Sequence, residues 1–372
     1  MNILLCFVFL FEMIRIKGVA LNVSLSDERP SLLMNFYNEQ NVKIMKCNTF
    51  LPATLTFAVS NQIQSRIKEN VTLSFTENYS TYRYQSDILI NSVHINNFSL
   101  YFSYIGAIFS SEFGAAFGYH IINEETSIVH LFYKQGYVDH IMFAFHNIRE
   151  EFDSHLYIGE IPNNEHKKLP YKTTMKINET LPTWGFTLNK VIFDNETFEL
   201  NESAIIANGI DGVFLYNKLY KMLEKKILTY SECKINGNAF YKGEENDILC
   251  PMNGEVLHKE ISFIFGKVEM KIEMIKLFKM YGNNTMKAYF RSDDYSENYY
   301  NFTGLFLGNF FINQFNYTLF DYEAKTVSFY SDSIYIKDNS DNCTITIAIA
   351  IVISVICLVN FVYLFLYKYL YK

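Results

Sequence analysis

Histidine is the residue of this chain with the widest catalytic use, because its imidazole changes charge near neutral pH and binds transition metals. A zinc protease would need two histidines one helical turn apart, as in His-Glu-x-x-His, so that both rings face one ion. The sequence has no such motif, no Cys-x-x-Cys pair and no other paired spacing of metal ligands. The eight histidines, which therefore predict neither a metal site nor a cofactor, are His94, His120, His130, His140, His146, His155, His166 and His258.

Motifs for nucleophilic catalysis and for phosphate binding are also absent. The chain has no Gly-x-Ser-x-Gly sequence, which would expose a serine at a strand-to-helix turn, and no glycine-rich P-loop. Cys47 lies far from any histidine in the sequence and is interpreted as a structural cysteine. The net charge of −7 is spread along the chain, and the only basic cluster is at 221–226, so nucleic-acid binding has no support.

The elements that would position any site are predicted to be mostly β-strands. The chain contains 34 Phe and 28 Tyr against 16 Gly and 6 Pro. Aromatic and β-branched residues recur in short alternating runs such as Val71–Phe75 and Tyr157–Ile161. Apolar residues at helical spacing predict two helices, Glu124–Gln135 and Asn217–Ile227. Prolines and charged residues between 162 and 182 predict a linker between two halves.

The N-terminal residues 1–20 are predicted to be a signal peptide. An apolar run from Ile3 to Phe11 is followed by small residues that would allow cleavage near Ala20. No Lys or Arg precedes the apolar run, so an uncleaved anchor stays open as an alternative.

Near the C-terminus, Thr344–Leu366 is 23 residues without a charge, long enough as a helix to cross a hydrocarbon layer of ~30 Å. We therefore predict a stalk at 334–343, a transmembrane helix at 344–367 and a cytosolic tail at 368–372. Acidic residues precede this span and lysines follow it, which places the ectodomain outside the cytosol, in the secretory pathway or at the cell surface as a single-pass type I protein.

An oxidising compartment permits disulfides and N-glycans. Cys233 and Cys250 bracket a polar loop and are favoured as a disulfide that would contribute roughly 3 kcal/mol, whereas Cys47 and Cys343 have no assigned partner. Eleven Asn-x-Ser/Thr sequons permit glycosylation without requiring it, at Asn22, Asn70, Asn78, Asn97, Asn178, Asn195, Asn201, Asn283, Asn301, Asn316 and Asn342.

Three ordered segments resemble pepsin-like aspartic proteases. Leu305–Phe329 is similar to their closing strands: it keeps the Leu-Gly turn, the Phe-Asp of the following strand and the final Val-x-Phe, with Asn309 in place of an Asp. Phe113–Tyr119 is similar to a degraded Phe-Asp-Gly-Ile-Leu-Gly-Leu. Thr183–Phe193 followed by Ala204–Ile206 resembles the strands that lead to the second catalytic loop.

The resemblance implies a mainly β, bilobal pepsin-like (acid protease) fold, with two six-stranded-barrel-like lobes, a few short helices and the added C-terminal transmembrane helix. On this basis the N-terminal lobe would span residues 21–175 and the C-terminal lobe residues 176–333.

The resemblance also identifies where catalytic residues would lie. Aspartic proteases use two facing carboxylates that share one proton, each held in an Asp-Thr-Gly or Asp-Ser-Gly loop. This chain contains neither triplet, and the positions similar to the two aspartates are Lys46 and Ala207. Asp211 is a weak alternative, more consistent with a turn. Phe75 and Tyr79 are the candidates for the aromatic residue of the flap that closes over the cleft.

The sequence thus predicts a membrane-anchored pepsin-like ectodomain without catalysis that binds a peptide or protein in the cleft between the lobes. One alternative is a divergent active endopeptidase, which would need a second carboxylate near Asp211 or Asp321. Another is an adhesion or cargo-receptor ectodomain without cleft function, which a cleft filled by its own side chains would favour.

Overall fold

A computed structural model describes residues 18–26, 29–38, 41–50, 57–58, 72–76, 79–90, 93–103, 113–121, 124–147, 153–207, 212–236, 247–282, 284–292 and 304–338. Strands dominate, as predicted. The first half contains β1 (Gly18–Ser26), β2 (Arg29–Asn38), β3 (Asn41–Phe50), β4 (Phe57–Ala58), β5 (Thr72–Thr76), β6 (Tyr79–Ile90), β7 (Val93–Ser103), β8 (Phe113–Ala116), β9 (Met142–His146), β10 (Asp153–Gly159) and β11 (Tyr171–Lys176).

The second half continues the same pattern of short strands. It contains β12 (Gly185–Phe193), β13 (Glu196–Ile206), β14 (Val213–Leu215), β15 (Lys234–Asn236), β16 (Asp247–Pro251), β17 (Glu260–Phe265), β18 (Val268–Glu273), β19 (Phe278–Met280), β20 (Thr285–Ala288), β21 (Phe290–Ser292), β22 (Leu305–Leu307), β23 (Tyr317–Asp321), β24 (Thr326–Ser331) and β25 (Tyr335–Asp338). The described helices are α1 (Ile128–Lys134), α2 (Asn217–Ile227) and α3 (Asn309–Ile312), with 3₁₀ segments at Glu124–Thr126, Pro162–Lys168, Glu255–His258 and Met274–Leu277.

Both predicted helices are present. Asn217–Ile227 forms α2 with the predicted bounds, and its buried face carries Leu219, Leu223 and Ile227. The other prediction, Glu124–Gln135, is divided: a 3₁₀ turn comes first, and α1 begins only after Ser127, whose hydroxyl accepts a hydrogen bond from the backbone N–H of His130. A serine N-cap satisfies an otherwise unpaired amide of the first turn, so it marks where the α-helix starts.

One antiparallel sheet joins the two halves. Its strand order is β11-β24-β23-β9-β10-β1, so four strands come from the first half and two from the second. β11 falls in the predicted linker region and is an edge strand of this sheet. Beyond β1 the sheet continues into β2 and the other strands of the first half. Pairing between strands more than a hundred residues apart makes the two halves one folded unit.

The core of the joining sheet is aromatic. Trp184, the single tryptophan, is 0% exposed, and its indole N–H donates to the carbonyl oxygen of Phe117 at 2.7 Å. Phe143 and Phe320, on neighbouring strands, stack with ring centroids 4.7 Å apart, and Trp184 packs edge-on against Phe320 at 5.2 Å. Burying an indole contributes on the order of 4–6 kcal/mol by its area.

The opposite face of the same sheet carries a row of His and Tyr residues. His155, His146, Tyr317 and Tyr330 occupy directly opposed positions on β10, β9, β23 and β24, and the rings of His146 and Tyr317 stack at 4.1 Å. His166, from the 3₁₀ segment Pro162–Lys168, covers the row, is 5% exposed and packs edge-on against Tyr330 at 4.8 Å.

The second half has two further sheets. An eight-stranded sheet has the order β21-β14-β22-β13-β12-β17-β18-β25, and a four-stranded sheet has the order β15-β16-β20-β19. The predicted disulfide between Cys233 and Cys250 is confirmed, with the two Cα atoms 4.3 Å apart. It joins the turn after α2 to β16 and closes the loop whose composition suggested it.

The predictions for the two ends, a signal peptide and a transmembrane helix, stay predictions. β1 already begins at Gly18, which pairs with Gly159, so the predicted signal boundary near Ala20 falls inside a strand. No described helix is long and apolar enough to cross a bilayer. The predicted transmembrane helix at 344–367 lies outside the described residues, as does Cys343.

We expect loss of the disulfide to reduce stability substantially. Cys233→Ala with Cys250→Ala should lower the free energy of unfolding by about 3 kcal/mol, because the unfolded chain regains the freedom of the loop. Denaturant titration followed by Trp184 fluorescence measures this change. Reducing the wild-type protein should have a similar effect, whereas equal midpoints with and without the bond would contradict the prediction.

We also expect the histidine row to weaken the fold at acid pH. Burial lowers the pKa of His146 and of His166, with smaller contributions from nearby His155 and Lys167 respectively. An unfolded histidine titrates near 6.5, so below about pH 6.5 the unfolded chain takes up protons that the folded chain refuses, and stability falls as pH falls.

Denaturant titrations at pH 7 and pH 5 test this expectation. His166→Phe should reduce the loss of stability between the two pH values by up to about 1 kcal/mol. The same change at exposed His258 is the control and should leave the loss unaltered. If both variants lose as much stability as the wild type, the row does not control the pH dependence.

Candidate functional site

The best-defined candidate site lies at the ends of three neighbouring strands of the second half, β13, β22 and β14. We call this arrangement a crossing, because β13 and β14, which follow each other in the sequence, lie on opposite sides of β22. β13 runs parallel to β22, with Ile206 opposite Leu307, and Ala207 is the first residue after this ladder. β14 then returns on the other side of β22 as an antiparallel neighbour. Residues 208–211 connect β13 to β14 and form the loop of this site; they lie outside the described residues.

Backbone hydrogen bonds hold both ends of this loop. The amide of Ala207 donates to the carbonyl oxygen of Leu307 at 3.0 Å, and the amide of Gly308 donates to the carbonyl oxygen of Gly212 at 3.1 Å. A Cβ atom at Gly212 would lie 2.3 Å from the carbonyl oxygen of Tyr289, so a glycine is required there for the strands to approach this closely.

Ala207 itself is closed off by apolar neighbours. It is 0% exposed and belongs to a buried cluster with Leu181, Ile205 and Phe306. A methyl group can neither hold nor transfer a proton. A hydrolytic residue would need contact with water, whereas Ala207 is fully buried.

The segment that carries Leu181 is bound to the first half of the chain. The carbonyl oxygen of Leu181 is 3.0 Å from Nε2 of His120, and Trp184, three residues later, is bound to Phe117. Leu181 belongs to the same buried apolar cluster as Ala207. The apolar closure of the site is thus built from both halves of the protein.

A polar network lies next to this segment at the surface. Lys325 donates to Glu179 at 2.6 Å, and this hydrogen bond is the main reason that the pKa of Glu179 is lowered. Burial raises the pKa of the neighbouring Tyr119 phenol, and its interaction with Glu179 adds to the increase. Neither shift produces a group poised to act as an acid or base near neutral pH, so the network is interpreted as structural.

The first half repeats the strand crossing of the second. β3 runs parallel to β8, with Phe50 opposite Ala116, and β4 returns antiparallel to β8 and parallel to β7. In the second half, β13, β22, β14 and β21 have the corresponding relations. Two such crossings, one in each half, are the arrangement that an enzyme with two facing loops would need.

The register of the first crossing decides which residue corresponds to Ala207. Lys46, selected from the sequence pattern, lies inside β3 opposite Leu33, one residue before the parallel ladder begins at Cys47. The ladder ends at Phe50, so by position relative to its end the counterpart of Ala207 is Leu51, which lies outside the described residues.

The two flap candidates lie at the tip of one hairpin. β5 and β6 pair antiparallel, with Phe75 opposite Ser80 and Tyr79 opposite Thr76, and only residues 77–78 connect them. The structure describes the backbone of both positions, and each stays a candidate for the flap residue.

The remaining candidates add no catalytic group to the described site. Asp211 lies outside the described residues. Asp321 accepts a hydrogen bond from the backbone amide of Ala324 at 2.8 Å and so stabilises the turn between β23 and β24. Within the part of the chain that the structure describes, no three His, Cys, Asp or Glu side chains are grouped to bind a metal ion.

The joining sheet and the two crossings define the pepsin-like bilobal fold, and comparison with solved structures shows the same fold. Basic 7S globulin from soybean matches with a TM-score of 0.64 at 10% identity, over 84% of this chain and 95% of that one. An aspartic proteinase from Irpex lacteus matches with a TM-score of 0.63 at 10% identity, over 85% and 98%.

Neither protein-family models nor curated sequences match the chain. The similarity is therefore one of fold, and the site must be interpreted from its own residues. The sequence pattern points to Ala207 because the strand before it is distinctive; in the first half it points to Lys46, whereas the strand register points to Leu51, and these assignments stay predictions. A possible signal for Leu51 was its distance of six residues from Phe57, which equals the distance of Ala207 from Val213.

We expect a carboxylate to be poorly tolerated at position 207. Ala207→Asp should destabilise the protein by a few kcal/mol more than Ala207→Asn, a change of similar size without charge, because the site offers no water to the ionised form. The excess penalty should grow as pH rises above about 3.9, since burial favours the protonated acid in the folded state. Equal stability of the two variants at pH 7 would contradict the prediction that an ionised carboxylate is poorly solvated at position 207.

Proposed function

We propose that this chain is a membrane-tethered, pepsin-like ectodomain that does not hydrolyse peptides and instead binds a peptide or protein ligand. The observation that carries the proposal is the composition of the two crossings. Ala207 follows the ladder of the second crossing, and Leu51 follows that of the first. Across residues 41–58, which include the whole first crossing loop, there is no Asp or Glu.

The chemistry of aspartic proteolysis needs two carboxylates that share a proton, one as base toward water and one as acid toward the carbonyl. In this chain the first loop supplies none, and the second supplies at most Asp211. A single carboxylate cannot perform both roles, whichever residue of the first loop faces it. The proposal therefore does not depend on choosing between Lys46 and Leu51.

The retained scaffold supports a binding role. A hairpin with aromatic residues near its tip, formed by β5 and β6, provides backbone edges and side chains of the kind that hold an extended peptide. Of the two similar structures, one is named a proteinase and the other a globulin, so this fold is found under both kinds of name. Loss of the carboxylates with retention of the strands is what selection for binding alone would leave.

The tether and the compartment belong to the same proposal. The uncharged span at 344–367 would anchor the ectodomain, and the residues before it would lie in the lumen or outside the cell. The Cys233–Cys250 disulfide is consistent with an oxidising compartment. Asn195, an exposed sequon residue in the turn between β12 and β13, is well placed to carry a glycan.

One observation favours a second candidate function. Ala207, in the described part of the site, is buried in an apolar cluster of the protein's own side chains that includes Leu181. A closed site suits an adhesion or cargo-receptor ectodomain whose outer surface, rather than its cleft, contacts the partner. The two candidates differ in whether the hairpin tip contributes to binding.

Peptide hydrolysis tests the absence of catalysis. We expect the purified protein to cleave no member of a mixed peptide library between pH 3 and pH 7, with Asp211→Ala indistinguishable from the wild type. Acid hydrolysis that Asp211→Ala abolishes would overturn the proposal. A statine-containing transition-state analogue should bind no more tightly than the matched amide peptide, because no dyad is present to prefer it.

The same library, used for binding, separates the two candidates. For peptides that the protein retains, Phe75→Ala or Tyr79→Ala should weaken binding about tenfold, a typical cost for an aromatic contact residue. Tyr133→Ala, at an exposed position on α1, is the control. Retention that neither hairpin change reduces would favour the outer-surface function.

A further inference from the structure

The described residues end at a defined place, the edge of the eight-stranded sheet. β25 is the edge strand of the eight-stranded sheet and pairs antiparallel with β18, so that Asp338 lies opposite Val268. Val268 follows the tight turn Gly266–Lys267 that joins β17 to β18. The last described residues are therefore beside the tip of this hairpin.

The distance from this point to the proposed membrane span is short. Residues 339–343 separate Asp338 from Thr344, the first residue of the uncharged span. A fully extended chain advances at most ~3.3–3.6 Å per residue, so six steps cover no more than about 22 Å. If the span is anchored as proposed above, the hairpin tip lies within that distance of the start of the membrane helix.

A groove of about 560 Å³ opens at the same place. The end of β11, the beginning of β12 and the β17–β18 hairpin tip line it, and Val268 is one of its residues. Its lining includes two exposed lysines, Lys176 and Lys267, together with side chains such as Asn178 and Phe265 and no carboxylate. The groove thus combines cationic and amide groups with apolar side chains.

We propose that this groove faces the bilayer and that Lys176 and Lys267 contact the phosphate groups of its lipids. The proposal rests on the membrane tether of the proposed function and specifies how the ectodomain is oriented on it. A lipid headgroup offers a phosphate to the lysines and glycerol and acyl carbons to the apolar part of the lining. Lysine amino groups bind phosphate as point charges and need no rigid geometry, which suits a fluid surface.

The strand order of the sheet identifies a surface that should face away from the membrane. α2 packs on β14 and β21, which lie at the edge of the eight-stranded sheet opposite β25. Seven strand spacings of about 4.8 Å separate β25 from β21 along the sheet. Lys221, exposed on α2, is therefore a matched lysine far from the proposed membrane contact.

Quenching of tryptophan emission by lipids with a nitroxide on the headgroup tests the orientation. The full-length protein is placed in phosphatidylcholine nanodiscs as Lys267→Trp or as Lys221→Trp. Trp184 is fully buried in both and gives the same background. We expect the tryptophan at 267 to be quenched at least twofold more than the one at 221; equal or reversed quenching would overturn the proposal.

A charge change tests the phosphate contact. Adding Lys176→Glu to Lys267→Trp should reduce the quenching at 267, whereas adding Lys218→Glu, at an exposed position on α2, should not. Unchanged quenching with Lys176→Glu would overturn the contact of the lysines with lipid phosphate.

Extraction of membranes with alkaline carbonate tests the tether separately, since release of the protein would overturn the tether itself.

Discussion

The indole of Trp184 needs a hydrogen-bond acceptor because it is fully buried, and the acceptor is the carbonyl oxygen of Phe117 in the other half of the chain. A buried N–H without a partner would cost about 1–3 kcal/mol, so this contact constrains how the halves meet. Phe143 and Phe320 stack beside it on neighbouring strands of the joining sheet. The candidate site is linked to this junction, since the same segment carries Leu181, which shares a buried cluster with Ala207.

The strand crossings do not depend on catalytic residues for their stability. In each half, a strand inserts between parallel and antiparallel neighbours, and the second crossing is held by backbone hydrogen bonds and buried apolar residues such as Ile206 and Leu307. A carboxylate at the loop would add a desolvation cost and nothing to the ladder. This arrangement of strands is therefore stable with a buried apolar residue, Ala207, at the end of the ladder.

Two features could couple the fold to its surroundings. Partly buried His146 and buried His166 lie on the face of the joining sheet opposite Trp184, and we expect them to make the fold less stable in acid because burial lowers the pKa of each imidazole. The groove with Lys176 and Lys267 lies where the chain leaves toward the proposed membrane span. The histidines would make the stability of the fold depend on the pH of its compartment. The groove, if it faces the bilayer as proposed, would determine which surfaces remain available to a partner.

The sequence by itself determined the features that arise from nearby residues. The helix at Asn217–Ile227 follows from apolar residues at helical spacing, and the disulfide between Cys233 and Cys250 follows from a short polar loop between two cysteines. The absence of Asp-Thr-Gly and Asp-Ser-Gly triplets needs no structure at all. The pepsin-like fold was also predictable, because several weak similarities occur in the right order.

Only the tertiary structure decided the register of strands that are distant in sequence. β3 pairs with β8, more than sixty residues later, and a local pattern cannot reveal at which residue such a ladder ends. For that reason the sequence pattern indicates Lys46 as the counterpart of a catalytic aspartate, whereas the residue that follows the ladder is Leu51. The buried cluster that contains Ala207 and Leu181 likewise forms only when distant segments come together on folding. The same holds for the row of His and Tyr residues, which requires four separate strands to pair.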